Sequence, residues 1–206
     1  MRLIKVSLFA SFLAAGIGLV SVVGAQPAAA PAPAAAPAGA ATFSVAQANS
    51  TVTYEVIHKL HKVRGSSKKI EGKARILADG KAQVMVRVPV DSFDSQNVNR
   101  DAHVKEVVEA ARYPLVEIKA SADGVAPPAT FPSTIEKTFN AEVSFHGVKK
   151  QLQLPVKLTF DSADKVHATA SVGLSFDEFK IERPSLMFVK VEDTIKIEAD
   201  LVLNKG

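Results

Sequence analysis

The chain has 206 residues, 47% of them hydrophobic, a formal net charge of +4 at pH 7 and no cysteine. So small a charge, without a long basic run, excludes the electrostatic footprint of a nucleic-acid-binding protein. The lack of cysteine excludes disulfides and lipid attachment through an N-terminal cysteine, so a hydrophobic core must stabilise the fold alone.

The N-terminal segment has the pattern of a secretory signal. Arg2 and Lys5 precede an apolar run over residues 6–23, and small residues up to Ala25 form a plausible cleavage site. The length of the run also permits an uncleaved membrane anchor. We expect residues 1–25 to be a cleaved signal peptide, which would direct the protein to the bacterial periplasm or the exterior and lower its charge by two, to +2.

The rest of the chain divides into a linker and one domain. Residues 26–41 are almost entirely alanine and proline, which is typical of an extended, solvated spacer. Residues 42–206 are enough to form one hydrophobic core and do not require two. We therefore predict a single domain over 42–206.

The first half of this domain shows the two-residue alternation of half-buried strands. The predicted strands cover residues 42–45, 51–60, 61–78 and 83–90. Asp79 and Gly80 form a dipeptide that favours a tight hairpin turn. Valine then occupies every second position from Val84 to Val90, which makes this strand signal especially clear.

Between residues 91 and 114 the alternation gives way to helical spacing. One helix face would carry Val104, Val107, Val108 and Ala111. Asn99 or Asp101 can cap the start of the helix, and Pro114 makes its continuation unfavourable. We predict one short amphipathic helix whose apolar face packs at one end of the β structure.

The second half of the domain is predicted to consist of consecutive hairpins. Strands are expected over residues 115–121, 137–145, 149–160, 166–176 and 194–203, with a proline-rich loop over 123–132. About eight one-sided strands predict an all-β antiparallel domain, either a closed barrel or a two-sheet sandwich. The lack of crossovers favours an up-and-down barrel, whose interior is either filled or able to hold one ligand.

The histidines do not have the spacing of a metal site. The chain contains His58, His61, His103, His146 and His167. His58 and His61 are expected on opposite faces of one strand, and no cysteine or close set of carboxylates completes a tetrahedral site. We expect His58, His103 and His146 to make hydrogen bonds near turns, and we predict no metal.

The residues also lack a recognisable catalytic device. There is no G-x-S-x-G motif that would present a nucleophile. Asp91, Asp94 and Asp101 could form an acid and base pair, but turn and capping roles explain all three. We therefore predict that the protein is not an enzyme and uses no cofactor.

Seven short motifs occur in a fixed order along the domain. They are YEVIH at 54–58, VRG at 63–65, VPVDSFD at 88–94, NRDAHV at 99–104, YP at 113–114, FHGVKK at 145–150 and FKIER at 179–183. Over residues 42–203 the chain resembles the YceI-like family of exported, lipocalin-like, polyisoprenoid-binding proteins. The resemblance implies an antiparallel barrel that holds a long isoprenoid or similar lipid in a hydrophobic interior, with no cofactor and no chemical step.

A lipid inside the barrel would contact the side chains that the alternation directs inward. The predicted lining consists of Val52, Tyr54, Val56, Val86, Val88, Leu154, Val156, Ala168, Ala170, Ile197 and Ala199. The candidates for binding an anionic head group are Arg100, His103, His146 and Arg183. For Arg64, Arg100 and Arg183 the alternative is an ion pair with Asp91, Asp94 or Asp101.

Two functions remain open from the sequence. The first is an exported binding protein that sequesters or carries a long-chain lipid near a membrane. The second is an envelope or stress-related interaction protein whose barrel is packed solid and whose surface is its working part.

Overall fold

A computed structural model describes residues 40–58, 61–186 and 189–206. The predicted signal peptide and nearly all of the predicted linker lie outside these residues. In the described parts no helix is long and apolar enough to cross a membrane.

The domain is all-β with one helix, as predicted from the sequence. Its strands are β1 (Ala41–Val45), β2 (Thr51–His58), β3 (His61–Ser67), β4 (Glu71–Ile76), β5 (Ala82–Pro89), β6 (Leu115–Ala122), β7 (Ser133–Phe145), β8 (Val148–Ser162), β9 (Lys165–Ser175), β10 (Ser185–Leu186), β11 (Val189–Lys190) and β12 (Thr194–Lys205). Helix α1 (Val98–Val107) lies between β5 and β6, and two short 3-10 turns cover Gln47–Asn49 and Val90–Ser92.

Eight of these strands close an antiparallel barrel, which confirms the predicted architecture. The order is β1, β4, β5, β6, β7, β8, β9 and β12, and β12 pairs back with β1. From β4 to β9 each strand pairs with the next one in the chain, which is the up-and-down arrangement. The pairing of β12 with β1 closes these eight strands into a ring.

The hairpin of β2 and β3 extends the barrel wall at one end. β2 continues β1 after the 3-10 turn, and both strands pair with β12. Ser50 lies at this bend and is 1% exposed. Its hydroxyl donates to the Ala46 carbonyl at 2.8 Å and accepts from the Val202 amide at 3.0 Å. The side chain therefore satisfies backbone groups that the bend removes from the ladder.

The wall of the barrel is incomplete at the end where β2 and β3 extend it. β3 pairs with β2 but makes only an isolated bridge, Ser66 to Asp94, toward the chain that follows β5. β8 and β9 are paired from Val156 and Ala170 to Ser162 and Lys165, and the rest of the two strands is not paired with each other. Pro155, which lacks an N–H, directly precedes the first paired residue of β8. We call this the helix end, because α1 contributes to its wall, and the opposite one the floor end.

The structure corrects the predicted cap of the helix. The N-cap is Asn97, whose side chain accepts a hydrogen bond from the Arg100 amide at 3.0 Å, so the prediction of Asn99 or Asp101 was wrong. Asn97 has the extended backbone that a cap requires, whereas Asp101 lies in the first turn and accepts from the Ser95 amide. Ala111, predicted on the apolar face, lies beyond the last helical residue.

The structure also corrects the placement of two histidines. His58 is the last residue of β2 and His61 is the first residue of β3, and their Cα positions are partners in the register of this hairpin. The prediction that they lie on opposite faces of one strand was therefore wrong. The alternation alone gave no sign that the first of these strands ends at His58.

Candidate ligand-binding cavity

The barrel encloses a cavity of about 530 Å³. All eleven residues of the predicted lining border it: Val52, Tyr54, Val56, Val86, Val88, Leu154, Val156, Ala168, Ala170, Ile197 and Ala199. They do so because successive residues of a strand point to opposite faces and closure turns one face inward. That these residues bind a ligand stays a prediction.

The floor end of the cavity is closed by apolar side chains. They are Phe43, Ile76, Ala82, Val125, Phe160 and Val166, each at most 7% exposed. All belong to one hydrophobic cluster. Neighbouring Lys73 and Arg75 of β4 also border the cavity, but both are exposed residues that alternate with the inward Ala74 and Ile76. A ligand at this end would therefore contact almost only hydrocarbon.

The helix end of the cavity carries its polar side chains. His58, Arg100, His103 and Ser185 border it there, together with apolar residues of α1 such as Val104. His58 is buried, and its Nε2 donates to the Val189 carbonyl at 3.1 Å, which ties the end of β2 to β11. The cavity thus combines a long apolar interior with a cationic and hydrogen-bonding group at one end.

Arg100 is held in place by a polar cluster between α1 and the chain before it. Its Nε donates to the Ser95 hydroxyl at 2.8 Å, and its Nη2 donates to the Ser95 carbonyl. The Ser95 hydroxyl in turn donates to Asp101. The guanidinium is therefore oriented by the protein before any ligand arrives, which reduces the entropy lost on binding an anion.

Tyr54 borders both the cavity and this polar cluster. Burial raises the pKa of its phenol above the ordinary value, and the negative charge of Asp101 raises that pKa further. The ring packs edge-on against Phe93, with 5.5 Å between the centroids. It also lies over Gly65, its partner in β3, where a Cβ would approach Tyr54 Cε1 to 2.5 Å. Glycine is required here because the tyrosine ring occupies the space of a side chain.

Two of the four predicted head-group residues lie away from the cavity wall. His146 Nδ1 donates to the Phe179 carbonyl at 3.0 Å, and its buried Nε2 lies 3.4 Å from Glu109 Oε1 without hydrogen-bond geometry. Arg183 Nε lies 3.3 Å from Asp177 Oδ1. The structure therefore brings Arg100 and His103 to the cavity and leaves His146 and Arg183 in local contacts.

The ion pairs of the arginines differ from the predicted ones. Arg64 pairs with Glu198 at 2.5 Å, and Arg183 pairs with Asp177, so Asp91, Asp94 and Asp101 were wrong as partners for both. Arg100 contacts Asp101 only through the shared Ser95 hydroxyl. Asp94 instead accepts from the Gln96 amide, in line with its predicted turn role.

The sequence-based reasoning missed Val125, one of the residues that reach the cavity from outside the strands. Val125 lies in the proline-rich segment 123–132, is fully buried, and borders the cavity at the floor end. Its amide donates to the Gly80 carbonyl at 2.8 Å, which fixes the loop across the barrel. The only available signal was an apolar residue after Asp123 and Gly124. In the described residues no group of three histidine or carboxylate side chains is placed to bind a metal.

Comparison with known proteins identifies relatives of this fold. A polyisoprenoid binding domain from Saccharophagus degradans superposes with a TM-score of 0.65 at 14% identity, over 80% of this chain and 98% of that chain. BcnA of Burkholderia cenocepacia gives 0.61 at 19% identity, over 77% and 98%. The YceI protein of Campylobacter jejuni gives 0.56 at 15% identity, over 73% and 89%.

These likenesses establish a shared fold, and function does not follow from fold alone. No curated protein matches the chain. The model of the YceI-like domain, in contrast, matches residues 43–203, which cover the barrel except for the first two residues of β1 and the last two of β12. The chain therefore belongs to the YceI-like family.

Proposed function

We propose that the protein binds one long apolar chain, of an isoprenoid or a similar lipid, inside its barrel. The observation that carries this proposal is the cavity of about 530 Å³, whose wall away from the helix end is apolar except for the exposed Lys73 and Arg75. Pockets for small molecules usually measure roughly 300–1,000 Å³. Burying a methylene yields ~0.8 kcal/mol, so a chain of many carbons is retained without any polar contact.

The polar end of the ligand is proposed to lie beside Arg100 and His103. Both border the cavity, and among the described residues the hydrogen bonds of Arg100 engage its Nε and Nη2 and not its Nη1. An arginine binds carboxylate or phosphate through parallel N–H groups, which suits an anionic head group. His146 and Arg183 are not included, because other side chains and carbonyls already engage them.

In this proposal the protein sequesters or carries its ligand and performs no chemical step. The structural similarity of this chain to the S. degradans domain, whose name describes polyisoprenoid binding, supports an isoprenoid or similar lipid as the ligand. The alternative of a solid barrel with a working surface is disfavoured, because a barrel selected only for stability would fill its interior with side chains.

The proposal predicts that protein purified from its own host carries lipid. Native mass spectrometry should show a population heavier than the polypeptide, and organic extraction should release an amphiphile of matching mass. Protein that is lipid-free and also takes up no added isoprenoid or fatty acid would contradict the proposal and favour the alternative. Heat-denatured protein of the same preparation is the control for adsorbed lipid.

We also propose that the protein is exported through its N-terminal signal. This proposal depends on the pattern of residues 1–25, which lie outside the described part of the chain. N-terminal sequencing of the protein from the periplasm or medium should begin at Gln26. A mature protein that retains Met1 in the membrane fraction would identify an anchor in place of a cleaved signal.

A further inference from the structure

Apart from the exposed Lys73 and Arg75 of β4, the polar side chains that border the cavity lie at one end. His58, Arg100, His103 and Ser185 border the helix end, whereas the floor end is closed by buried apolar residues such as Phe43, Val125 and Phe160. A ligand with polar groups at both ends would place one of them against hydrocarbon, which is costly without a hydrogen-bond partner. The cavity therefore fits a ligand with one polar end and one apolar end.

The floor is fixed in position by well-packed residues. Val125 is fully buried, and its amide is held by the Gly80 carbonyl at 2.8 Å. Phe160 is 2% exposed and lies beside Val166 in the paired register of β8 and β9. The Lys205 amide donates to the Asp164 carbonyl at 2.8 Å and closes the turn beyond them. A ligand tail that reaches these side chains meets a dense surface, which does not yield easily.

The volume of the cavity suits one long chain and not two chains of the same length. At roughly 30 Å³ for a group of the size of a water molecule, the cavity of about 530 Å³ has room for on the order of 18 chain carbons. Two chains of that length would require about twice this space.

We propose that the volume of the cavity restricts the ligand to single-chain amphiphiles, and that Val125 and Phe160 act as a ruler that sets the longest tail that is fully buried. The inference rests on the proposed function and specifies its ligand class. Each methylene gains affinity as long as it enters the apolar interior. Once the tail touches the floor, a further methylene must stay outside or bend, and the gain stops.

The test uses saturated fatty acids of increasing length, with dissociation constants from competition with a fluorescent fatty acid. For the wild-type protein the affinity should rise about fourfold per methylene, which corresponds to ~0.8 kcal/mol, up to a limiting length. Phe160→Ala should extend the fourfold steps to longer chains, because it lowers the floor. Ala82→Leu should end them at shorter chains, because it raises the floor.

Phe176→Ala is the matched control, since it removes the same ring from the helix end of the same cavity. It should change all affinities in common and leave the limiting length unchanged. If Phe160→Ala does not fold, Phe160→Leu replaces it with the same expected direction. The contrary result is that the wild-type protein binds these fatty acids with no limiting chain length, or with one that neither floor variant changes. Either result would overturn the ruler and leave the proposed function standing.

A diacyl phospholipid included in the series should bind at least about fourfold more weakly than the best fatty acid, because its second chain finds no space. Equal affinity for both would overturn the restriction to a single chain. Wild-type protein that binds none of these probes and carries no lipid from its host would overturn the proposed function itself. The two failures are therefore distinguishable.

Discussion

Replacing Ala170 with phenylalanine is expected to weaken lipid binding by at least ~100-fold while the domain remains folded. Ala170 lies on β9 between Ala199 of β12 and Val156 of β8, and all three residues border the cavity midway along the barrel. A phenyl ring there would block the passage between the helix end and the floor end. Excluding only four methylenes already costs ~3 kcal/mol of binding free energy. This loss lowers the affinity by more than about 100-fold.

The folded state should tolerate Ala170→Phe because the new ring enters existing space and does not overpack a dense core. The matched control is Ser171→Phe, at the next position on the same strand, which is exposed on the outer face. Fluorescent fatty-acid titration should show near wild-type affinity for Ser171→Phe and none for Ala170→Phe, with similar thermal unfolding of both. Unchanged affinity of a folded Ala170→Phe protein would show that lipid does not occupy this cavity.

The interior of the barrel was predictable because a strand has a side-chain period of two. Once residues such as Val86 or Ile197 are assigned to one face, closure of the sheet leaves that face no place except the inside. The assignment of Ala168, Ala170 and Ala199 followed from the same alternation. The alternation is a local pattern, and the lack of crossovers between successive strands favoured closure over a two-sheet sandwich.

The features that the sequence did not reveal depend on contacts between distant parts of the chain. Arg64 and Glu198 are 134 residues apart, and they meet only because β2 lies between β3 and β12. Val125 reaches the cavity because its loop is bonded to the Gly80 turn of another hairpin. The alternation along a strand does not predict which loops cross the end of a barrel.

The helix boundary failed for a local reason. Asn97, Asn99 and Asp101 are all residues that favour an N-cap, and they follow each other at two-residue spacing. The choice among them depends on which one has extended backbone angles, and that is Asn97. Asp101 instead accepts a hydrogen bond from the Ser95 hydroxyl, a contact that the sequence does not predict.

Replacing Phe179 with alanine is expected to destabilise the domain by ~3–5 kcal/mol, the usual cost of deleting a buried phenyl ring. Phe179 is 1% exposed and packs against Phe145 with 5.7 Å between ring centroids. It belongs to a hydrophobic cluster that also contains Leu152 of β8 and Leu174 of β9. These two strands are unpaired with each other in this region, so the side chain fills a seam that backbone hydrogen bonds do not close.

The segment that carries Phe179 is bonded to both sides of this seam. The Phe179 amide donates to the Ser175 carbonyl at the end of β9, and its carbonyl accepts from His146 in the turn between β7 and β8. These backbone bonds survive the substitution to alanine, so the protein is expected to keep its fold. The ring is lost from a fixed frame that cannot collapse around it, which places the cost in the upper part of the range for such deletions.

Equilibrium unfolding in urea, followed by circular dichroism, measures this loss of stability. Phe131→Ala is the matched control, because Phe131 is 40% exposed and its removal should change the free energy of unfolding by no more than ~0.5 kcal/mol. Phe179→Leu should fall between the two, since leucine fills part of the seam. The contradicting result is that Phe179→Ala lowers the free energy of unfolding by no more than Phe131→Ala does. In that case the hydrophobic cluster around Phe179 does not close the gap between β8 and β9, and other contacts must do so.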